Sequence, residues 1–202
     1  MKKIVYLLSL LCMGLSINAN AISIDLVANK SAVAVGENLE VAVRISGLDD
    51  AIAPSLGVYD FDFHFDNSLF SVNSISWGDS TKGNQLDLSG VGSLQDSTSG
   101  SGWLNLFELS FDDALQLDQF QAGEFTLFSV LLNSIAAGTG NFSLMTNSLG
   151  DAYGNALFAN QASDVQVSVG NVSVPEPSSI LLLLAGLVIL VSLRARISQS
   201  EK

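Results

Sequence analysis

The chain has 202 residues, a formal net charge of −12 at pH 7, 48% hydrophobic residues, one cysteine and one histidine. One cysteine excludes a disulfide framework, and one histidine with one cysteine cannot supply a zinc ligand set of the usual kind. The strongly acidic balance excludes a nucleic-acid binder that works by neutralising phosphates.

Lys2 and Lys3 open the chain, an apolar run from Ile4 to Leu15 follows, and Ala19-Asn20-Ala21 places small residues where a signal peptidase reads them. This order predicts a secretory signal peptide over residues 1–21, with Ala19 and Ala21 as the cleavage signal. Cys12 lies inside the apolar run behind Leu11, where a lipoprotein signal would carry a small residue, so no lipid anchor is expected there. The mature chain then has no thiol. Between residues 22 and 174 the only basic residues are Lys30, Arg44 and Lys82, against eighteen acidic ones. Such a surface favours solubility and suits neutral glycans, cationic partners or divalent ions.

Residues 22–170 are long enough for one domain with a core of its own. Leu39, Val41, Val43 and Ile45 alternate with polar or small residues, which predicts a half-buried strand after a turn at Val35-Gly36-Glu37-Asn38. Tyr59, Phe61, Phe63 and Phe65 alternate with Asp60, Asp62 and His64 and predict the clearest strand of the chain, closed by a turn at Asp66-Asn67. Phe70 and Val72 begin another strand, which Ile75 and Trp77 continue after a phase slip at Asn73-Ser74, the mark of a β-bulge. Gly78 to Gly102 reads as a long loop holding a short strand at Leu86 and Leu88. Trp103–Phe111 and Phe125–Leu132 are apolar on both faces, as central strands are, and burial in the core is the expectation for Trp77 and Trp103. Phe142 and Leu144 follow a Gly138-Thr139-Gly140 turn, and Val165, Val167 and Val169 form a last strand. No amphipathic helix of ten or more residues is expected. Eight or nine short strands predict an all-β, antiparallel two-sheet sandwich.

Residues 171–179 read as a linker containing Val174, Pro175, Glu176 and Pro177. The two prolines stiffen this stretch in an extended form that suits an enzyme cleft. The fourteen residues from Ile180 to Leu193 carry no charge, and Arg194 and Arg196 follow as a basic stop. Basic residues beside a span mark its cytoplasmic side. A full span needs ~20 residues, so the segment 180–196 is read as a transmembrane helix of marginal length. The Pro-Glu-Pro, apolar run and basic stop together resemble the PEP-CTERM sorting tail of bacteria. That resemblance implies transient retention in the inner membrane of a Gram-negative-type cell, recognition by an exosortase, and delivery to the cell surface or extracellular matrix. An ordinary tail anchor is the plainer alternative.

A second resemblance rests on Val35-Gly36-Glu37-Asn38-Leu39, then Gly47-Leu48, then the aromatic strand Tyr59 to Asp66. This order is similar to the opening of a cohesin domain. It implies a jelly-roll sandwich related to carbohydrate-binding modules, with a dockerin module as the family's partner across one sheet face. No contact residue follows from it.

Nothing catalytic stands out. His64 faces the side of Asp60 and Asp62, no nucleophile elbow accompanies it, and no carboxylate pair is singled out by an apolar setting. Asp60, Asp62 and Asp66 are the calcium candidates, against plain solvated acids, and no other cofactor is expected. The expectation is an exported, non-enzymatic binding or adhesion module associated with polysaccharide or protein. Its rivals are a polysaccharide-active enzyme with paired carboxylates and a purely structural matrix protein.

Overall fold

The computed structural model describes residues 22–48, 55–160 and 162–170. The signal peptide with Cys12, Ala19 and Ala21, the pair Asp49-Asp50, and the tail with Val174, Pro175, Glu176, Pro177, Arg194 and Arg196 lie outside them. Among the described residues no helix is long and apolar enough to cross a membrane.

The strands are β1 (Ile22–Ala28), β2 (Ala32–Ala34), β3 (Asn38–Ser46), β4 (Val58–Phe65), β5 (Phe70–Trp77), β6 (Ser93–Gly100), β7 (Trp103–Ser110), β8 (Glu124–Ser134), β9 (Gly138–Gly150), β10 (Ala159–Asn160) and β11 (Val165–Gly170). One short helix, α1 (Ala114–Phe120), links β7 to β8 and is capped by the Asp113 carboxylate on the Leu115 amide. A five-stranded sheet runs β10-β1-β3-β8-β5, and a six-stranded sheet runs β2-β11-β9-β4-β7-β6. Two apolar inner faces meeting in this way are the expected two-sheet sandwich. It is not wholly antiparallel: β2 pairs parallel to β11, and β10 parallel to β1.

The alternation seen in sequence becomes the core. Leu39, Val41, Val43 and Ile45 of β3 face Tyr59, Phe61 and Phe63 of β4, and all seven are fully buried. The rings of Tyr59 and Phe61 stack at 5.4 Å, Tyr59 and Phe128 at 6.0 Å, and Phe63 and Phe142 at 5.9 Å. Each such pair adds about 0.5–1.5 kcal/mol beyond its buried area. The bulge expected in β5 is present, between Val72 and Ser74.

Four readings change. First, β8 is not two-faced. The register with β3 slips between Val43 and Arg44, so Phe125 and Leu127 point inward before the slip and Phe128, Val130 and Leu132 after it. A bulge turned one apolar face into what looked like two. Second, Gly138 and Gly140 are strand residues of β9. A side-chain carbon on Gly138 would come within 2.8 Å of Leu69, and one on Gly140 within 2.6 Å of Phe70, so both glycines let β9 lie close beneath those side chains. Third, Leu86 belongs to no strand. It is a buried plug within the 78–92 segment, and the strand of this region is β6, which begins at Ser93. Fourth, Trp103 is 36% exposed on the outside of β7, while Trp77 is half-buried and meets Phe128 edge to face with ring centroids 6.4 Å apart.

Candidate interaction face

The outer surface of β9, β4, β7 and β6 follows from their registers. Val58, Leu109 and Leu94 form one row across three strands. Next comes Ser148, Asp60, Phe107 and Asp96, then Met145, Asp62, Asn105 and Thr98, then Ser143, His64, Trp103 and Gly100. Leu94 is 49% exposed, Met145 47%, and Trp103 and Leu109 36% each. These are large apolar side chains on the solvent side of a sheet whose inner side is already filled.

The polar groups between them are held in place. Asn105 donates both amide protons, one to Asp60 Oδ1 at 2.6 Å and one to Asp62 Oδ1 at 2.8 Å, and Asn147 donates to Asp60 at 3.3 Å. The two carboxylates are thereby fixed beside a shallow depression lined by Asp62, His64, Thr98, Trp103, Asn105 and Asn147. Trp103 lies flat across Gly100, its partner in β6, and a side-chain carbon at Gly100 would collide with the indole. Glycine opposite an aromatic ring is a recognised way to seat that ring on a sheet surface.

The calcium candidates divide here. Asp60 and Asp62 share the face through Asn105. Asp66 turns away and accepts from the Ser68 amide at 2.9 Å and the Ser68 hydroxyl at 2.6 Å, contacts that hold its carboxyl below the usual range. Among the described residues no three His, Cys, Asp or Glu converge where they could hold a metal ion.

One carboxylate is set apart by its surroundings after all. Glu108 is fully buried on the inner side of β7 and accepts from Tyr59 Oη at 2.8 Å, Asn84 Nδ2 at 2.6 Å, Ser93 Oγ at 2.6 Å and Gln95 Nε2 at 2.9 Å. Burial, reinforced by the Glu108 charge, pushes the Tyr59 hydroxyl well above its ordinary value, so Tyr59 stays a donor. The signal was present in sequence: Glu108 keeps the phase of Leu104 and Leu106. With every partner neutral and water shut out, this carboxylate ties the 78–92 segment, β4 and β6 to β7.

A family model for the PEP-CTERM protein-sorting motif matches residues 173–197, so the chain carries the sorting signal of an exported protein directed to the cell envelope. No curated protein matches the chain. Among solved structures, the cohesin of a type I cohesin–dockerin complex from Clostridium thermocellum aligns with 14% identity and a TM-score of 0.57, covering 75% of this chain and 100% of that one. A type II cohesin domain from the cellulosome of Acetivibrio cellulolyticus aligns with 13% identity and a TM-score of 0.59, over 73% and 95%. A non-cellulosomal cohesin from the archaeon Archaeoglobus fulgidus gives 16% and 0.54, over 75% and 94%. The protein is thus a cohesin-like β-sandwich followed by a PEP-CTERM sorting motif.

Proposed function

We propose that this protein is an exported, non-enzymatic docking module that binds a protein partner across the outer face of its six-stranded sheet. The observation that carries this reading is the set of exposed apolar side chains on one sheet face, Leu94, Leu109, Trp103 and Met145, placed around carboxylates already fixed by Asn105. Pre-positioned polar groups among aromatic and aliphatic anchors reduce the ordering cost of association. The cohesin of the Clostridium thermocellum complex is paired with a dockerin, which favours a protein module as the partner class here.

In the same proposal, signal peptidase cuts after Ala21, residues 180–196 hold the chain in the inner membrane, and an exosortase acts at Pro175-Glu176-Pro177. The domain is then displayed at the surface or within an exopolysaccharide matrix. Replacing those three residues with alanine should leave an unprocessed chain in the membrane fraction. Unchanged size and location would reduce the tail to a simple anchor.

The docking reading is tested by placing a photoreactive phenylalanine at position 109, and separately at position 129 on the opposite sheet, in the full-length chain in its native cells. One protein should cross-link from 109 and not from 129. Equal labelling from both, or no protein adduct together with retention on a glycan array, would overturn it. Polysaccharide turnover that disappears with Asp60→Asn or Asp62→Asn would instead favour the enzyme.

A further inference from the structure

The sandwich is open along one side, where β5 and β6 are the outermost strands of their sheets. Between them lies a cleft of about 500 Å³. Phe65, Phe70, Val72, Ile75 and Leu104 line it from the core, and among the described residues no charged one borders it. It exists because the inward positions of β6 opposite Leu104 and Leu106 are Ser99 and Ser97. Serines do not reach across to Val72 and Ile75, which stay only half-buried.

The backbone of β6 is as open as its side-chain face. Phe65 N–H donates to Gly102 and Ser110 N–H to Gly57, so Trp103, Asn105, Phe107 and Leu109 aim their own peptide groups at β6. Their partners Gly100, Thr98, Asp96 and Leu94 complete those bonds. The peptide groups of Gln95, Ser97 and Ser99 therefore point off the sheet edge, and among the described residues none pairs with them. Sheet edges are normally blunted by bulges, proline, lysine or short length. β2 and β10 are three and two residues long, and β5 is bulged. β6 runs eight residues in unbroken register, with no proline, no lysine and one charge, Asp96.

We infer that β6 is a strand-addition site: it accepts an extended peptide of a partner protein as a seventh strand, whose alternate apolar side chains fill the cleft against Phe65, Val72 and Ile75. This mode draws affinity from main-chain bonds and specificity from the pockets that take every second side chain. A second copy is the wrong occupant. Residues 22–174 carry three basic and eighteen acidic groups, so two copies repel, and each would bring Asp96 to the middle of the joint. The fitting partner is a neutral to basic strand alternating Val or Ile with Ser or Thr.

The test uses the full-length chain in detergent and octapeptides alternating Val or Ile with Ser or Thr between terminal lysines. Binding should slow amide exchange at Gln95, Ser97 and Ser99. N-methylation of the peptide at one set of alternate residues should weaken it at least tenfold, and at the other set leave it unchanged. Ser97→Leu, which fills the cleft, should weaken binding to a similar degree, whereas Ser97→Ala should preserve it. Trp103→Ala should have no effect, which separates this site from the outer face. The proposal is overturned if no octapeptide binds, if the phase of N-methylation is immaterial, if protection falls on β4 and β7, or if β6 instead joins two copies.

Discussion

On the five-stranded sheet the outward residues of β3 are Glu40, Ala42, Arg44 and Ser46, flanked by Asp25 on β1 and by Thr126 and Ser129 on β8. On the six-stranded sheet the outward residues of β7 are Trp103, Asn105, Phe107 and Leu109. Both surfaces cover the same core, yet the first is polar and internally compensated. Arg44 pairs with Glu124, and Lys82 donates to the Glu124 carbonyl. Among the described residues the second surface has no lysine or arginine, and Asp60 and Asp62 are tied by amides rather than neutralised. A surface whose charges are left unpaired and whose apolar groups face water is prepared for something else to complete it.

The contrast can be broken from below. Phe61 supports β4 from the core, so Phe61→Ala should cost about 3–5 kcal/mol and impair both faces together, visible as a lower denaturant midpoint. Asp79 ties the loop that follows β5 to β8 of the five-stranded sheet. Burial acts to raise its carboxyl, but bonds from the Thr81 amide, the Thr126 amide, the Thr81 hydroxyl and the Lys82 amide outweigh that and hold it well below the usual range. Asp79→Ala should cost about 2 kcal/mol at neutral pH. Because the folded carboxyl is depressed, its contribution is complete above the unfolded value of about 4 and fades as the pH falls further. Wild type and variant should therefore converge in acid titrations of stability, and a gap that stays constant down to pH 2 would remove Asp79 as the cause.

Finer changes separate the faces. Trp103→Ala should lower partner capture about tenfold, about 1.4 kcal/mol, while shifting stability by less than about 1 kcal/mol. Gly100→Ala should reproduce that loss by displacing the indole from its seat. Arg44→Ala breaks an exposed ion pair and should change stability by less than about 1 kcal/mol, with capture unchanged. If Arg44→Ala and Trp103→Ala affected capture equally, the difference between the faces would have no functional meaning.

Much of the sandwich was legible because period-two alternation reports which side of a strand is buried. β3, β4 and β11 follow from it directly, and the bulge of β5 appeared as a slip of phase. β1 carries the same signal in Ile22, Ile24 and Leu26, but its first residue adjoins the expected cleavage site, where a strand is masked by the leader's own apolar pattern. β6 left no hydrophobic trace, since Ser93 to Gly100 is a strand by pairing with β7 rather than by burial. The candidate face was half legible. Asp60, Asp62 and His64 were placed on one side of β4 by alternation alone. Leu94, Asn105 and Met145 join them only through strand order and register, which depend on contacts distant in sequence. Trp103 was misplaced because an apolar residue on a strand is assigned to the core by default, and an exposed one is the informative exception.

The position of β11 bears on how the domain withstands load. Its last residue, Gly170, precedes the sorting motif in sequence, and the strand lies between β2 and β9, paired with β9 over Val165–Val169 and with β2 over Ser168–Gly170. A pull on Gly170 directed along the strand axis loads both of these ladders. The ladders on both sides must then shear together, instead of opening one bond at a time as a peeled edge would. The three residues of β2 thus convert an edge strand into a clamped one, and such a load on the domain would meet its resistance there.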